Sequence, residues 1–152
     1  MESATLTRPR ALPAASSVPW PWLALALLVA GSVVGFLVYP TYPNYDSYYS
    51  LLWGREVLDL TLPHFEGFRV PTEHPLAIAV GAVLSLFGEA GDRLWIAATL
   101  GSYVALVAGV YRLGRIAFTP LVGLVAAALL LTRFDFAFLA ARGYIDIPYM
   151  AL

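Results

Sequence analysis

Two aspartates stand close to long apolar runs, and either could act as a base. Asp46 lies in the tyrosine-rich stretch "YPNYDSYYS" just after the apolar run 22–39, and Asp146 lies in "GYIDIPYM", in the stretch that follows the apolar run 118–132. A carboxylate at the edge of a membrane can take a proton from a hydroxyl group. Each aspartate also suits a helix start, because acids stabilise the first helical turn. We predict both as catalytic residues and leave the helix-start role open.

Other polar side chains could bind the substrate of such a base. Arg142 precedes Asp146 by four residues, so it can pair with that acid, extend along the lipid boundary or offer a planar guanidinium to a phosphate. Arg69, Glu73 and His74 lie in the first polar loop. We predict contacts to phosphate or substrate for all four of these side chains. Their spacing matches no established metal motif, so no metal site is predicted, although a divalent cation, Mg²⁺ or Mn²⁺, near the two aspartates stays open.

The composition indicates a membrane protein. Of the 152 residues, 60% are hydrophobic and 12% are charged, whereas soluble domains are about 45–50% apolar and about 25% charged. A chain this short cannot bury so much apolar surface in water, so we expect the lipid bilayer to surround much of it. The net charge of −1, without a basic stripe, excludes nucleic acid as a partner, and the lack of cysteine excludes disulfides and thiolate metal sites.

Three apolar segments are predicted to cross the membrane as helices. The first, 22–39, has 18 residues without a charge and would form about 27 Å of helix, close to the thickness of the hydrocarbon layer. Trp53 and the nearby tyrosines are expected at the lipid–water boundary or in a sugar subsite. Thr119 and Pro120 suit the first turn of the third segment. The predicted all-α, polytopic transmembrane fold comprises a cytoplasmic disordered tail (1–21), transmembrane helices (22–39, 94–111 and 118–132), an outer loop (40–93) with interfacial helices (about 46–59 and 75–87), a cytoplasmic loop (112–117), a second outer loop (133–147) and the start of a further transmembrane helix (148–152).

Arginine positions decide the predicted orientation. The loop 112–117 carries two arginines and no acid, while the polar segment before 94–111 carries Glu89 and Asp92 against one arginine. Because short cytoplasmic loops are enriched in arginine, 112–117 is placed in the cytoplasm together with the N-terminus. The run 75–87 then stays at the interface; if it crossed instead, the two catalytic aspartates would face opposite sides. The favoured orientation puts both aspartates outside the plasma (inner) membrane.

The predicted spans contain no Asp, Glu, Lys, Arg or His. Proton-coupled transporters place ionisable groups in the middle of the membrane, so this pattern favours chemistry at the membrane surface. A non-catalytic protein, either a flippase-like transporter or an assembly subunit, remains the alternative. The chain stops inside an apolar segment, and we expect it to be the N-terminal part of a longer membrane protein.

Four stretches follow one another in a characteristic order. They are "NYDSYYSLLWGREVL", "EHPLAI", "DRLWIAATLGSYVALVAGVYRLGR" and "GLVAAALLLTRFDFAFLAARGYID". This series, which covers about residues 20–152, resembles the N-terminal half of the membrane core of GT-C glycosyltransferases. The nearest branch is the bacterial protein mannosyltransferase-like and aminoarabinose-transferase-like one. The ordered series carries the resemblance, rather than any single motif.

The resemblance implies a membrane enzyme that inverts an anomeric centre. Such an enzyme transfers a sugar from a polyprenyl-phosphate-linked donor to a hydroxyl of a protein, lipid or glycan acceptor at the outer face. The family's essential acid in the first outer loop falls on Asp46, and the acid of its second outer loop falls on Asp146. The sequence departs from the family at Ser47, where many relatives have a second acid, and at "HPL" (74–76), which has one proline instead of two.

Overall fold

The described part of the protein is entirely helical. In this computed structural model, residues 20–67 and 69–152 are described, and no strand occurs among them. Residues 1–19 of the predicted tail lie outside the described residues, whereas Trp20 and Pro21, also assigned to that tail, belong to the first helix. The helices are α1 (Trp20–Val38), α2 (Tyr45–Leu58), α3 (Pro75–Ser85), α4 (Ala90–Ala117), α5 (Pro120–Thr132), α6 (Phe134–Ala141) and α7 (Asp146–Ala151).

Two of the described helices are long and apolar enough to cross a membrane. They are α1, with 19 residues, and α4, with 28 residues. At 1.5 Å per residue these helices are about 28 and 42 Å long, against a hydrocarbon layer of about 30 Å. The helices α5 and α6 together meet the same test, but a bend of 63° at Arg133 separates them. The described residues therefore contain two candidate spans, or three if the bent pair counts as one.

Two predicted loops contain helix instead. The segment 112–117 continues α4, which stops only at Phe118. The reason is Pro120: the residue before a proline is pushed to extended backbone, and Thr119 has φ −139° and ψ 160°. Its side chain caps α5, as predicted, by accepting a hydrogen bond from the Val122 amide at 3.2 Å. The predicted second outer loop 133–147 likewise contains α6 and begins α7.

The helices α1, α4 and α6 meet at one end, which we call the site end. The end of α1 lies beside the start of α4 there. Arg93, near the start of α4, donates to the carbonyl of Phe36, near the end of α1, and lies 4.0 Å over its ring. The chain returns to this end through α5 and α6, where Thr99 donates to the carbonyl of Ala140 at 2.7 Å. The ends of α1 and α6 and the start of α4 are thus neighbours, and 112–117 lies at the far end of α4.

The helices α2 and α3, which follow α1 and precede α4 in the chain, form a tightly packed pair. A Cβ atom on Gly54 or on Gly81 would fall inside 3.0 Å of the other helix's backbone, so the two backbones touch. Trp53, predicted to anchor at the membrane boundary, is instead buried, with only 1% of its surface exposed. Its indole nitrogen donates to the carbonyl of His64, and its ring packs against Phe65. It therefore fixes the loop after α2 rather than facing lipid.

Candidate functional site

The segment before α2 is docked directly onto the segment before α7. The amide of Asn44 donates to the carbonyl of Arg142 at 2.9 Å. The hydroxyl of Ser47 donates to the carbonyl of Gly143 at 2.5 Å, and both groups are buried. These bonds connect positions 96 residues apart or more. They join the start of α2, which carries Asp46, to the stretch immediately before Asp146, at the site end of the bundle.

Gly143 is the centre of this docking. Its carbonyl accepts a second hydrogen bond, from the indole of Trp95 at 2.8 Å. Its φ of +66° lies in the left-handed region, where side chains other than glycine are strained. An added Cβ would also lie 2.8 Å from Ile96 Cδ1 and 2.9 Å from Trp95 Cδ1. Only glycine fits here, which explains how the chain turns tightly enough to present its carbonyl to Ser47.

Asp46 lies in the first turn of α2, but it is not the cap. That role belongs to Asn44, whose side-chain oxygen accepts a hydrogen bond from the Ser47 amide at 3.2 Å. Asp46 is half-buried, and no hydrogen bond or ion pair from the described residues engages its carboxylate. The helix-start interpretation is therefore confirmed for the position of Asp46 in the first turn, while the hydrogen bond of the cap comes from Asn44. The carboxylate of Asp46 is available to another molecule.

Asp146 is the first residue of α7, as the helix-start interpretation proposed. Its two neighbours are buried, Ile145 at 5% and Ile147 at 0% exposure, and they pack into the two apolar clusters of the bundle. Asp146 itself is exposed. The isoleucines on either side thus hold the start of α7 against the bundle while the carboxylate faces outward.

Arg142 does not pair with Asp146. Its guanidinium lies 4.6 Å over the ring of Tyr42, a cation–π contact, and no ion pair forms with any described residue. Its Nε atom is buried and has no hydrogen-bond partner. A buried donor without a partner is costly, typically about 1–3 kcal/mol.

The three remaining predicted binding residues, His74, Arg69 and Glu73, differ in how they contact the segments that carry the two aspartates. His74 precedes α3, and its ring lies 5.8 Å from the ring of Tyr149, three residues after Asp146. The carbonyl of Arg69 accepts a hydrogen bond from the hydroxyl of Tyr45 at 2.8 Å, beside Asp46. The last of the three, Glu73, is exposed. The structure therefore brings His74 toward the start of α7 and the backbone of Arg69 toward the start of α2.

Two carboxylates accept hydrogen bonds that connect α2 to other parts of the chain: Asp92 of α4 and Glu56 of α2 itself. Tyr48 donates to Asp92 at 2.7 Å, a bond that raises the pKa of the Tyr48 phenol and ties α2 to the start of α4. The backbone amide of His64 donates to Glu56 at 2.9 Å and lowers the pKa of the Glu56 carboxyl. Among the described residues, no group of three His, Cys, Asp or Glu side chains could hold a metal ion. A divalent cation near Asp46 and Asp146 stays a prediction.

Sequence reasoning missed the residues that position the two aspartates. Ser47 was noted only as a departure from the family, and neither Trp95 nor Gly143 was singled out. The one local signal is a glycine directly after the end of an apolar helix, a common stop signal. The partners of these residues are far away in the chain and leave no local pattern.

Comparison with known proteins assigns no family to the chain. No protein-family model, no curated protein and no solved structure matches it. The resemblance to GT-C glycosyltransferases rests on the ordered motifs of the sequence alone.

Proposed function

We propose that the protein is an integral membrane glycosyltransferase of the GT-C kind. It transfers a sugar from a polyprenyl-phosphate-linked donor to an acceptor hydroxyl at the outer face of the membrane. Asp46 is the base, and Asp146 orients the acceptor or the phosphate. Two described helices that are long and apolar enough to cross a membrane support a site beside the bilayer, where the lipid of the donor would reside.

The docking of the two aspartate-bearing segments carries this proposal. Two acids about a hundred residues apart in sequence begin helices that a pair of short hydrogen bonds, from Asn44 and Ser47, holds together. Asp46 keeps its carboxylate out of the cap, and Asp146 keeps its carboxylate exposed. Two carboxylates that no described residue engages, on segments that are docked together, suit a reaction that needs a base and an orienting acid.

The reaction is a single displacement at the anomeric carbon. The acceptor oxygen bonds to that carbon as Asp46 takes the proton from the acceptor hydroxyl. The bond between the anomeric carbon and the phosphate oxygen breaks, and the polyprenyl phosphate leaves with the electron pair. Attack from the face opposite the leaving group inverts the configuration.

The leaving phosphate gains negative charge, which nearby cations stabilise. Arg142 carries a guanidinium that forms no ion pair with a described residue, and His74 and Arg69 lie in the segments that border the two helix starts. Mg²⁺ commonly binds one or two carboxylates together with substrate phosphates. Asp46 and Asp146 are the residues that would hold such an ion, and it would supply further positive charge to the phosphate.

The direct test is Asp46→Asn in the full-length protein, with sugar transfer measured in isolated membranes. Asparagine keeps the size of the side chain and removes its basicity. A general base contributes about 10²–10⁴-fold to the rate, so transfer is expected to fall at least about a hundredfold. Expression should not change, because the cap of α2 is Asn44.

Asp59→Asn is the matched control. Asp59 ends the same helix, is exposed, and contributes a backbone amide rather than its carboxylate to the cap. Transfer by this variant is expected to equal that of the unmodified protein. Full transfer by Asp46→Asn at normal expression would remove Asp46 from the mechanism and favour the non-catalytic alternative.

A further inference from the structure

The bend between α5 and α6 carries an ion pair. Arg133 donates from Nε to one carboxylate oxygen of Asp135 at 3.1 Å and from a terminal nitrogen to the other oxygen at 2.8 Å. These bonds use two of the five N–H groups of the guanidinium. The other three form no hydrogen bond with a described residue, and the two side chains are 64% and 51% exposed. The pair therefore has several hydrogen-bonding positions left for other molecules.

The charges of α4, a candidate span, indicate how this helix fits a bilayer. An uncharged run of 18 residues, 94–111, lies between Arg93 and Arg112. At 1.5 Å per residue the run is about 27 Å long, which matches a hydrocarbon layer of about 30 Å. Because arginine is unfavourable at the centre of a bilayer, the layer fits between these two arginines. The middle of the run, near Tyr103, then corresponds to the middle of the membrane.

The packing of α5 against α4 gives the height of the bend. A Cβ atom on Gly123 would meet the carbonyl oxygen of Tyr111 at 2.5 Å, so α5 touches α4 where the uncharged run ends. The bend comes ten residues later, about 15 Å back toward the site end, which is also the length of ten residues of α4. Leu130 and Phe136, which flank the bend, pack against the apolar cluster to which Tyr103 belongs. The bend therefore lies near the middle of the run.

An exposed break at this depth needs a polar environment. Hydrocarbon offers no hydrogen bonds, so charged side chains and non-helical backbone occur there only where protein covers them or water reaches them. The bend adds backbone groups to this need, because helix ends leave amides and carbonyls without partners in the helix. A covering protein surface would have to present a polar partner to each group, whereas water supplies donors and acceptors in any direction. The many open positions on this half-exposed pair favour water.

We propose that α5 and α6 form one broken span and that water reaches the ion pair of Arg133 and Asp135 in the middle of the membrane. The third predicted span, 118–132, stops one residue before this pair, so the sequence analysis found no ionisable group at that depth. Hydrated ionisable groups at mid-membrane line the pathways of ions and protons in membrane proteins. This site lies away from the two aspartates of the site end and does not depend on sugar transfer.

Cysteine labelling of the full-length protein in proteoliposomes tests the proposal, and the chain described here has no native cysteine. Thr132→Cys puts a thiol directly before Arg133, at an exposed position and with little change in size. A membrane-impermeant thiol reagent is supplied on both sides of the bilayer.

Ala105→Cys is the matched control. Ala105 is exposed, lies in the uncharged run of α4 and is within one turn of Tyr103, at the height of the bend. Thr132→Cys should react at least about tenfold faster than Ala105→Cys, because the reactive thiolate forms in water and hardly forms in hydrocarbon. Both variants should label fully after denaturation in SDS. Equal reaction rates in the bilayer would overturn the proposal.

Depth is measured with a fluorescent label on Thr132→Cys and with phospholipids that carry bromine at different carbons. Bromine quenches a label at its own depth, so lipids brominated next to the headgroup should quench this label little. Strongest quenching by those lipids would place the bend at the membrane surface and would also overturn the proposal. Sugar transfer is not measured, so failure here leaves the proposed enzyme untouched.

Discussion

Two glycine pairs in this molecule have opposite surroundings. Gly54 and Gly81 lie where α2 crosses α3, and a Cβ atom on either would fall inside 3.0 Å of the partner helix's backbone. Gly31 and Gly35 lie on α1, and a Cβ atom on either meets nothing within 4 Å. Both pairs lie in apolar or amphipathic helices, yet one brings two backbones into contact and the other leaves a groove.

The difference shows what each pair contributes to the candidate site. The contact between α2 and α3 fixes the helix that carries Asp46 relative to the helix that follows His74. The open face of α1 fixes no helix within the described residues, but it borders the site end with apolar surface. The closed pair therefore supports the geometry of the site, and the open pair leaves apolar surface beside it.

Breaking the closed pair should have the largest effect. In Gly81→Ala the added methyl group would overlap the carbonyl of Ser50, so α2 and α3 must separate. Overpacking of this kind usually costs about 1–3 kcal/mol, and we expect the upper end because the overlap is with backbone, which cannot rotate away. The melting temperature of the full-length protein in detergent should fall, and sugar transfer should fall with it.

Ser85→Ala separates packing from hydrogen bonding at the same contact. The hydroxyl of Ser85 lies 3.2 Å from the carbonyl oxygen of Leu51 across the pair and 2.8 Å from that of Gly81 in its own helix, and the two carbonyls share its one proton. Its removal should cost about 1 kcal/mol, the typical net contribution of one hydrogen bond. A melting temperature for Gly81→Ala no lower than that of Ser85→Ala would mean that the backbones do not touch.

The sequence predicted local features well and contacts poorly. A helix was expected at about 46–59 and lies at Tyr45–Leu58, and Thr119 caps α5. Both depend on a few adjacent residues, on helix-starting side chains and on proline. Which glycines pack and which stay open depends on where a distant helix lies. For the same reason the bond from Ser47 to Gly143 was not predicted.

Substitution of Gly143 should have an intermediate effect. In Gly143→Ala the side chain is placed at φ +66°, which costs about 1–2 kcal/mol, and it also crowds the side chains of Trp95 and Ile96. The closest approach here is 2.8 Å, to a side-chain atom, against 2.3 Å to a backbone oxygen for Gly81, so the loss of stability should stay below that of Gly81→Ala. Sugar transfer should fall even at temperatures where the variant stays folded, because the carbonyl that holds Ser47 moves.

A comparison with Ser47→Ala distinguishes the loss of stability from the loss of sugar transfer. That variant removes the hydrogen bond to Gly143 without straining the backbone. If the docking positions Asp46, both variants should lose transfer at temperatures well below their melting temperatures. Normal transfer by both variants would mean that the docking of the two segments stabilises the bundle and leaves the position of Asp46 unaffected.

Substitution at the open pair should have the smallest effect, and it should be of opposite sign. Gly31→Ala adds a methyl group that meets nothing within 4 Å, while alanine is favoured over glycine in a helix by about 0.5–1 kcal/mol. The melting temperature in detergent without added lipid should therefore stay unchanged or rise slightly. A fall comparable to that of Gly81→Ala would show that a surface outside the described residues packs on this face of α1. Both glycine pairs would then hold helices together, and they would differ only in which surface packs against each of them.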